Sequence, residues 1–588
     1  MYLDFTVPIP DLPGKIGRFK KGNTTYIRYV AGRQYHADRK YNIPNHKIIG
    51  KAIPDDPSQM IPNENFLKYF GDTDLPELKR DNSRSSCLCI GAFLVIRKIM
   101  EDYSLPQMLA KYLGARDCGL FLDLCAYSIV CENNAGQYYP MYVYNHPLFT
   151  EKMHIYSDTK VSDFFASITD DQSVGFLNEW NATRDHREKI YISYDSTNKN
   201  CQSGDIEMVE FGHAKDPRDL PIFNYAVAYD TNNREPLFYE QYPGSIVDVS
   251  QLQFMLEKVR GYGYKRVGFI LDRGYFSKEN IRYMDQCGYD FVIMVKGMAS
   301  FVRTLILENK GKFENKRECS IRKYKTYGMT VRHQLYASDE EERYFHLYYS
   351  DQKASAQREQ VEAKIDRMAN HLNKLKGKAV TIGEGYRQYF ELFIHEEDGV
   401  FLFAKEKAEV IEKERDLCGY FVIVTSKKMS AKEALELYKS RDASEKLFSG
   451  DKSYLGNKSL RVQSDEAAAG KIFTEFIALI VRCRMYTMLK DELEKLETKP
   501  NYMTVPAAVR ELEKIEMLKG ADNEYNLDYA VTATQKTILN AFGMSADNIH
   551  RQARGISTDL ARIEAEAFEK QAECFLQARF AEKCKTFL

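Results

Sequence analysis

Residues 266–295 read RVGFILDRGYFSKENIRYMDQCGYDFVIMV. The runs VGFIL and FVIMV are apolar without alternation, as strands covered on both faces must be. Between them SKENIRYMDQCG has the spacing of a helix, stopped at Gly288. A strand, a helix and a second strand of this length predict a parallel pair joined by a right-handed crossover. Upstream, KIYISYD (189–195), IFNYAVAY (222–229) and PLFYEQY (236–242) are strand-like, the last two joined by the turn-forming DTNNRE. Ser250 and Gln253 form a capping-box pattern ahead of QLQFMLEKVRGYG. Three strands, helix, strand, helix, strand predicts an α/β fold built on a mixed sheet with helices on its faces.

Farther out the pattern divides the chain. Residues 1–80 open with a basic arm: the first 51 hold ten Lys or Arg and three Asp, near +7, with Tyr26, Tyr29, Tyr35 and Tyr41 interleaved. Such an arm suits phosphate contact, with Lys20, Lys21, Arg39 and Lys40 as candidates; a solvated strand-rich face fits the same composition. Residues 86–185 repeat apolar positions at spacings of three and four, predicting a helical domain. After 186–300, the first part of the core, residues 301–415 lose the α/β rhythm and are expected to form an inserted α+β subdomain. The rhythm returns over 416–490 with GYFVIVTS (419–426) and a capping box, Ser430 with Glu433; residues 491–588 are expected to be helical.

Composition limits the function more than it identifies it. The 588 residues carry 83 Lys and Arg against 84 Asp and Glu, net −1, so any polyanion-binding surface must be local. Twelve Cys include no C-x-x-C; the closest pair is Cys87 and Cys89, and a zinc site is not expected from that spacing. Scattered Cys without a leader pattern predict a reducing, cytoplasmic location. The most apolar run, FIALIV at 476–481, is far shorter than the ~20 residues of a membrane span.

Two carboxylates, Asp195 in YISYDSTN and Asp272 in GFILDRGY, end strand-like runs. Sites in α/β sheets form at the carboxyl ends of strands, and Asp side chains on neighbouring strands ~4.8 Å apart are able to share hard divalent cations. Either Asp alone reads equally as a turn residue. In the helix after GYFVIVTS, Tyr438, Arg441 and Glu445 stand at spacings of three and four, on one face, with Lys452 seven residues on and Ser449-Gly450 as a potential break.

YDSTN, LDRGYFSKENI and then Tyr438, Arg441, Glu445 and Lys452 as Y-x2-R-x3-E-x6-K together resemble the Asp-Asp-Glu transposases of bacterial insertion sequences, specifically the insertion sequence 4 type. The resemblance spans residues 186 to about 490, with an insert between the second Asp and the Glu. PLFYEQYPGSIVD and KSLRVQSDEAAAGKIFTEFIAL are similar to neighbouring segments of such enzymes; Asp442, Ala443 and Ser444 stand where that family commonly has Trp and an aliphatic residue. The resemblance implies an RNase-H-like catalytic core, Asp195, Asp272 and Glu445 as ligands of two Mg²⁺ (Mn²⁺ as substitute), and phosphate contacts from Tyr438, Arg441 and Lys452; Arg273, immediately after the second Asp, is a candidate either for a similar contact or for pairing with the triad. It further implies double-stranded DNA as partner, both terminal inverted repeats and target, and a homodimer on that DNA. A nuclease with the same triad, and a DNA-binding protein that has lost catalysis, are the alternatives.

Overall fold

The computed structural model describes the chain apart from residues 1, 4–5, 23, 37–40, 55, 71–83, 185–187, 204–205, 212–219, 247, 296–298, 340–341, 396, 457 and 584–588; at 36, 41, 248–249, 299, 443–445, 449 and 568–583 the backbone alone is described. Two compact units form. One comprises Met1–Leu94, Met141–Ile155 and Arg510–Leu588, the other Val95–Pro140 and Tyr156–Val509. The helical stretch expected over 86–185 is thus shared between the units.

The larger unit is built on a mixed sheet of nine strands among the described residues. Val267–Leu271 lies between Ile190–Asn200 and Asp290–Met294, parallel to both. Beyond Ile190–Asn200 come Ile222–Asp230 and Glu235–Pro243, antiparallel. Beyond Asp290–Met294 comes Tyr420–Thr425, antiparallel to it. VGFIL is buried throughout, as its unbroken apolar run requires. Gly268 has a reason to be glycine: an added Cβ would occupy the ring of Tyr191 on the neighbouring strand. The helix Asp248–Gly261 begins before Ser250, so Ser250 is its third residue and the Ser250/Gln253 pattern is not its cap.

The stretch expected as one insert divides in two. Ser320–Ile321, Thr326–Gln334 and Glu342–Tyr349 extend the main sheet past Tyr420–Thr425. Only the remainder closes on itself: Asp351–Leu375, the hairpin Phe390–Ile394 with Phe401–Glu406, and Ala408–Asp416 bury Ile365, Leu372, Tyr389, Phe390, Phe401 and Ile411 together. An edge strand offers its unpaired N–H and C=O groups to any sequence able to continue the ladder, which local pattern does not reveal.

The helix Ala431–Lys439 docks on the sheet through Ala431, Leu435 and Tyr438 against Ile270, Val292, Tyr348 and Ile423. Its capping box forms as expected: Ser430 N–H donates to Glu433 Oε2 at 2.7 Å and Glu433 N–H to Ser430 Oγ at 3.2 Å. The long helix Asp465–Lys495 is buried on nearly every side over 468–483, FIALIV included. No described helix is long and apolar enough to cross a membrane.

In the smaller unit, Val7–Pro8, Gln59–Pro62, Tyr41–Ala52, Thr24–His36 and Ile16–Lys21 form an antiparallel sheet in that order, closed by Val7, Ile27, Ile49, Met60, Phe66 and Leu67. The C-terminal part is not purely helical: Glu516–Lys519 pairs with both Tyr525–Leu527 and Cys87–Cys89.

Candidate active site

Asp195 and Asp272 come together through register. Leu271 pairs with Tyr194 across the parallel ladder, and each Asp is the next residue of its strand line. Asp272 keeps extended backbone angles (φ −73°, ψ 162°). Two residues at the same step of adjacent parallel strands face the same side of the sheet, with backbones ~4.8 Å apart. The two strands then diverge: Val267–Leu271 ends, whereas Ile190–Asn200 continues five residues beyond Asp195, paired with Ile222–Asp230. The carboxylates therefore stand where one ladder opens, at the end of a single strand rather than of two.

Local hydrogen bonds hold both groups. Asp272 caps the short turn Arg273–Tyr275, its Oδ1 accepting from Arg273 N–H at 2.6 Å, and Asp195 Oδ1 accepts from Ser196 N–H at 2.9 Å. Asp272 Oδ2 faces Arg441 Nη1 at 3.5 Å.

The four-residue helical signature is distributed differently from a single polar face. The first helix ends at Lys439 and a second runs Asp442–Tyr454, with Ser440 and Arg441 forming the joint in near-helical angles. Tyr438 is 5% exposed and part of the apolar cluster on the sheet, so it is a packing residue. Above it Arg441, with a side chain 11% exposed, places its guanidinium carbon 5.4 Å from the Tyr438 ring centre. A Tyr below and a carboxylate ahead fix the guanidinium by stacking and charge. The backbone of Glu445 lies in the helix Asp442–Tyr454; its side chain is outside the described residues. Lys452 is half-buried on the same helix, which Ser449-Gly450 does not interrupt. Gly450 instead admits the Arg482 guanidinium, which an added Cβ would displace.

Cations gather nearby. Arg273 is exposed beside Asp272. Lys353 is pushed down by burial and then by Lys439 and Arg273, so three positive charges share a small region. A cleft of about 450 Å³ flanks the joint, lined by Arg234, Lys323, Lys439, Lys446 and Lys490 against Glu436 and Asp442. Lys20 and Lys21 are exposed on the edge strand Ile16–Lys21 of the smaller unit, a place where Lys also serves to block edge pairing. Arg39 and Lys40 lie outside the described residues.

Sequence reading missed the group that ties the Asp195 strand to the Glu445 helix. Lys199, fully buried four residues after Asp195, meets Asp451 Oδ2 and Glu475 Oε2, both at 2.9 Å. Burial opposes its charge, and Asp451 and Glu475 overcome that and hold Lys199 above the usual lysine range. Asn134 Nδ2 donates to Glu475 Oε1 at 3.1 Å, and Lys471 Nζ to the Leu460 carbonyl at 2.6 Å. Asn200 N–H bonds the Lys458 carbonyl and the Leu460 N–H bonds the Asn200 carbonyl, both at 3.0 Å, so strand and helix exit are stitched again. The sequence signal was a lone Lys in YDSTNKN, indistinguishable from a solvent-facing residue until its partners, hundreds of residues away, are known.

No curated protein matches the chain. Among solved structures, the chain is similar to a piggyBac transposase in a synaptic complex with hairpin DNA: 7% identity, 66% of this chain and 60% of that one covered, TM-score 0.29. The chain thus spans less than two thirds of that protein's length, and so loose a superposition carries no argument. Residues 192–481, from the Asp195 strand into the long buried helix, match the family model described as the transposase DDE domain, which supports a place for this stretch in the DDE transposase family.

Proposed function

We propose that the protein is a DNA transposase of the insertion sequence 4 type, with an RNase-H-like core, that binds the ends of its element and performs cut-and-paste transposition. The observation that carries the reading is the register that pairs Tyr194 with Leu271 on adjacent parallel strands, each followed directly by Asp195 and Asp272, with Arg441 from the following helix pair on Asp272, inside the stretch that matches the transposase DDE domain.

The donor set suits a hard cation. Asp195 and Asp272 offer carboxylate oxygens on one face, and Glu445 would complete an all-oxygen set from the helix Asp442–Tyr454, the ligand chemistry that Mg²⁺ favours and Mn²⁺ shares. Bound divalent cations would supply Lewis acidity toward phosphate and a lowered water pKa. The chain's own residues do the rest. Arg441, clamped over Tyr438, orients Asp272 and brings a fixed positive charge to the phosphate. Arg273, Lys353 and Lys439 give the backbone of double-stranded DNA a positive seat beside the carboxylates. Lys452 would extend that seat, and Lys20 and Lys21 would add contacts from the smaller unit. Action as a homodimer on terminal inverted repeats, and a bacterial cytoplasmic setting, belong to the same reading.

Transfer of a labelled DNA end into a plasmid tests it. Wild type is expected to transfer the end with Mg²⁺ or Mn²⁺, and Asp195→Asn, Asp272→Asn and Glu445→Gln each to lose more than tenfold while still binding DNA. Nicking without transfer would point to a nuclease, and salt-sensitive binding without cleavage to a protein that has lost catalysis.

A further inference from the structure

The smaller unit brings together side chains that spacing alone did not connect. Cys87 and Cys89 sit two apart on one strand and so share a face, with Leu88 buried on the other. Glu516 is the register partner of Cys89, and its Oε1 stands 4.0 Å from Cys89 Sγ. His146 arrives from the turn after the helix Tyr139–Tyr144, and Glu513 from the loop leading into Glu516–Lys519. One donor atom each of Cys89, His146 and Glu513 lies within 4.8 Å of the others.

The imidazole is held as a metal ligand's ring would be. His146 Nδ1 is 2.8 Å from the Tyr142 carbonyl, an acceptor only, so Nδ1 carries the proton. In the neutral ring Nε2 then presents a lone pair, and it faces Glu513 Oε2 at 2.7 Å. Two acceptors at that distance need a cation between or upon them. Tyr142 stacks on the ring with centres 4.1 Å apart, and Arg84 binds the His146 carbonyl at 2.9 Å. A backbone acceptor on the far nitrogen is the usual outer support of a metal-bound histidine. Glu513 Oε1 is also buried, with no hydrogen-bond partner among the described residues. A protonated imidazole would satisfy Oε2 alone; it leaves Oε1, and the thiol and carboxylate converging beside it, unexplained.

We propose that Cys89, His146 and Glu513, with Glu516 opposite Cys89 as the fourth ligand, form a structural site for one zinc ion. Sulfur, imidazole and carboxylate ligands in a closed set of four are the borderline-soft chemistry that zinc takes and Mg²⁺ does not. The ion would clamp the strand Cys87–Cys89, the 145–146 turn and the 513–516 loop, three segments far apart in sequence. The site stands apart from the transposase reading, because none of its residues lies within 192–481.

The full-length protein tests it, in an Asp195→Asn background so that the proposed catalytic carboxylates hold less metal. Elemental analysis after gel filtration should find one zinc per chain, falling at least tenfold in Cys89→Ala and in His146→Ala. Cobalt(II) titrated into the metal-stripped protein should give a thiolate-to-metal charge-transfer band and the intense visible absorption of a tetrahedral ion; an all-oxygen site gives neither. Absence of both bands, or their persistence in Cys89→Ala, overturns the proposal. Should either variant fail to fold, the cobalt spectrum of the parent protein alone decides.

Discussion

Two clusters of buried polar groups in this protein solve the same problem in different ways. In the larger unit the carboxylates of Asp451 and Glu475 close on Lys199, a cation supplied by the chain. In the smaller unit Glu513 and Glu516 surround Cys89, and burial followed by those two carboxylates pushes its thiol up to about 12. The first cluster carries its cation as folded. The second concentrates negative potential and thiols on a histidine lone pair, so its complement must come from solution. A lysine is a permanent fitting, whereas a metal makes stability depend on supply.

The largest effect that should separate them is Lys199→Met. It removes the cation that both buried carboxylates face and should cost about 3–5 kcal/mol of stability, read from the denaturation midpoint of the larger unit, with no rescue by zinc. A loss under about 1 kcal/mol would show that water already reaches the cluster. Adding Glu475→Gln to Lys199→Met should recover part of the loss, because one of the stranded charges is gone.

Lys471 sharpens the comparison through pH. Burial, first among the causes, holds its amine down to about 8 from an ordinary 10.5. Between those values the unfolded chain binds the proton and the folded one has released it, so this residue's contribution to stability rises as pH climbs from about 8 toward 10.5. Relative to Lys471→Met, wild type should gain about 3 kcal/mol across that window, at 1.36 kcal/mol per unit. A flat difference would mean that the amine stays charged when buried.

Zinc should act on the other cluster alone. At a free concentration one hundred times its Kd, it should raise the stability of the smaller unit by about 2.7 kcal/mol, read as a shift of one thermal transition. An equal shift in Cys89→Ala would break the contrast. The smallest effect belongs to Tyr438→Phe. A buried packing ring predicts a change of less than about 1.5 kcal/mol and cleavage within a few-fold of wild type, whereas a phosphate-contacting hydroxyl predicts a clear loss.

What the sequence revealed follows from how local the cause is. VGFIL and the 290–294 strand were legible because covered strands need unbroken apolar runs, and the Ser430 cap because its partner is three residues away. Asp195 and Asp272 both read as the ends of strand-like runs; Asp272 does follow the last residue of its strand, whereas Asp195 stands inside Ile190–Asn200, whose continuation depends on pairing with Ile222–Asp230. Helical spacing puts Tyr438 beside Arg441, and the guanidinium does lie over its ring, but the packing of that ring into the apolar cluster on the sheet depends on partners that spacing does not reveal. The added strands 320–349, Lys199 and the Cys89 cluster were invisible because each depends on partners that only the folded chain supplies.

The pairing of Cys87–Cys89 with Glu516–Leu518 also sets a schedule for synthesis. Cys89 and Glu516 stand 427 positions apart in the sequence. At ≈ 5–20 residues per second a ribosome takes on the order of tens of seconds to bridge that gap. Throughout, Leu88 and two thiols wait beside a growing chain without their sheet, and by the end of that interval every residue of 192–481 has been synthesised. The smaller unit is therefore the last to close, and a nascent chain halted before residue 513 would carry a complete DDE region with an unfinished neighbour.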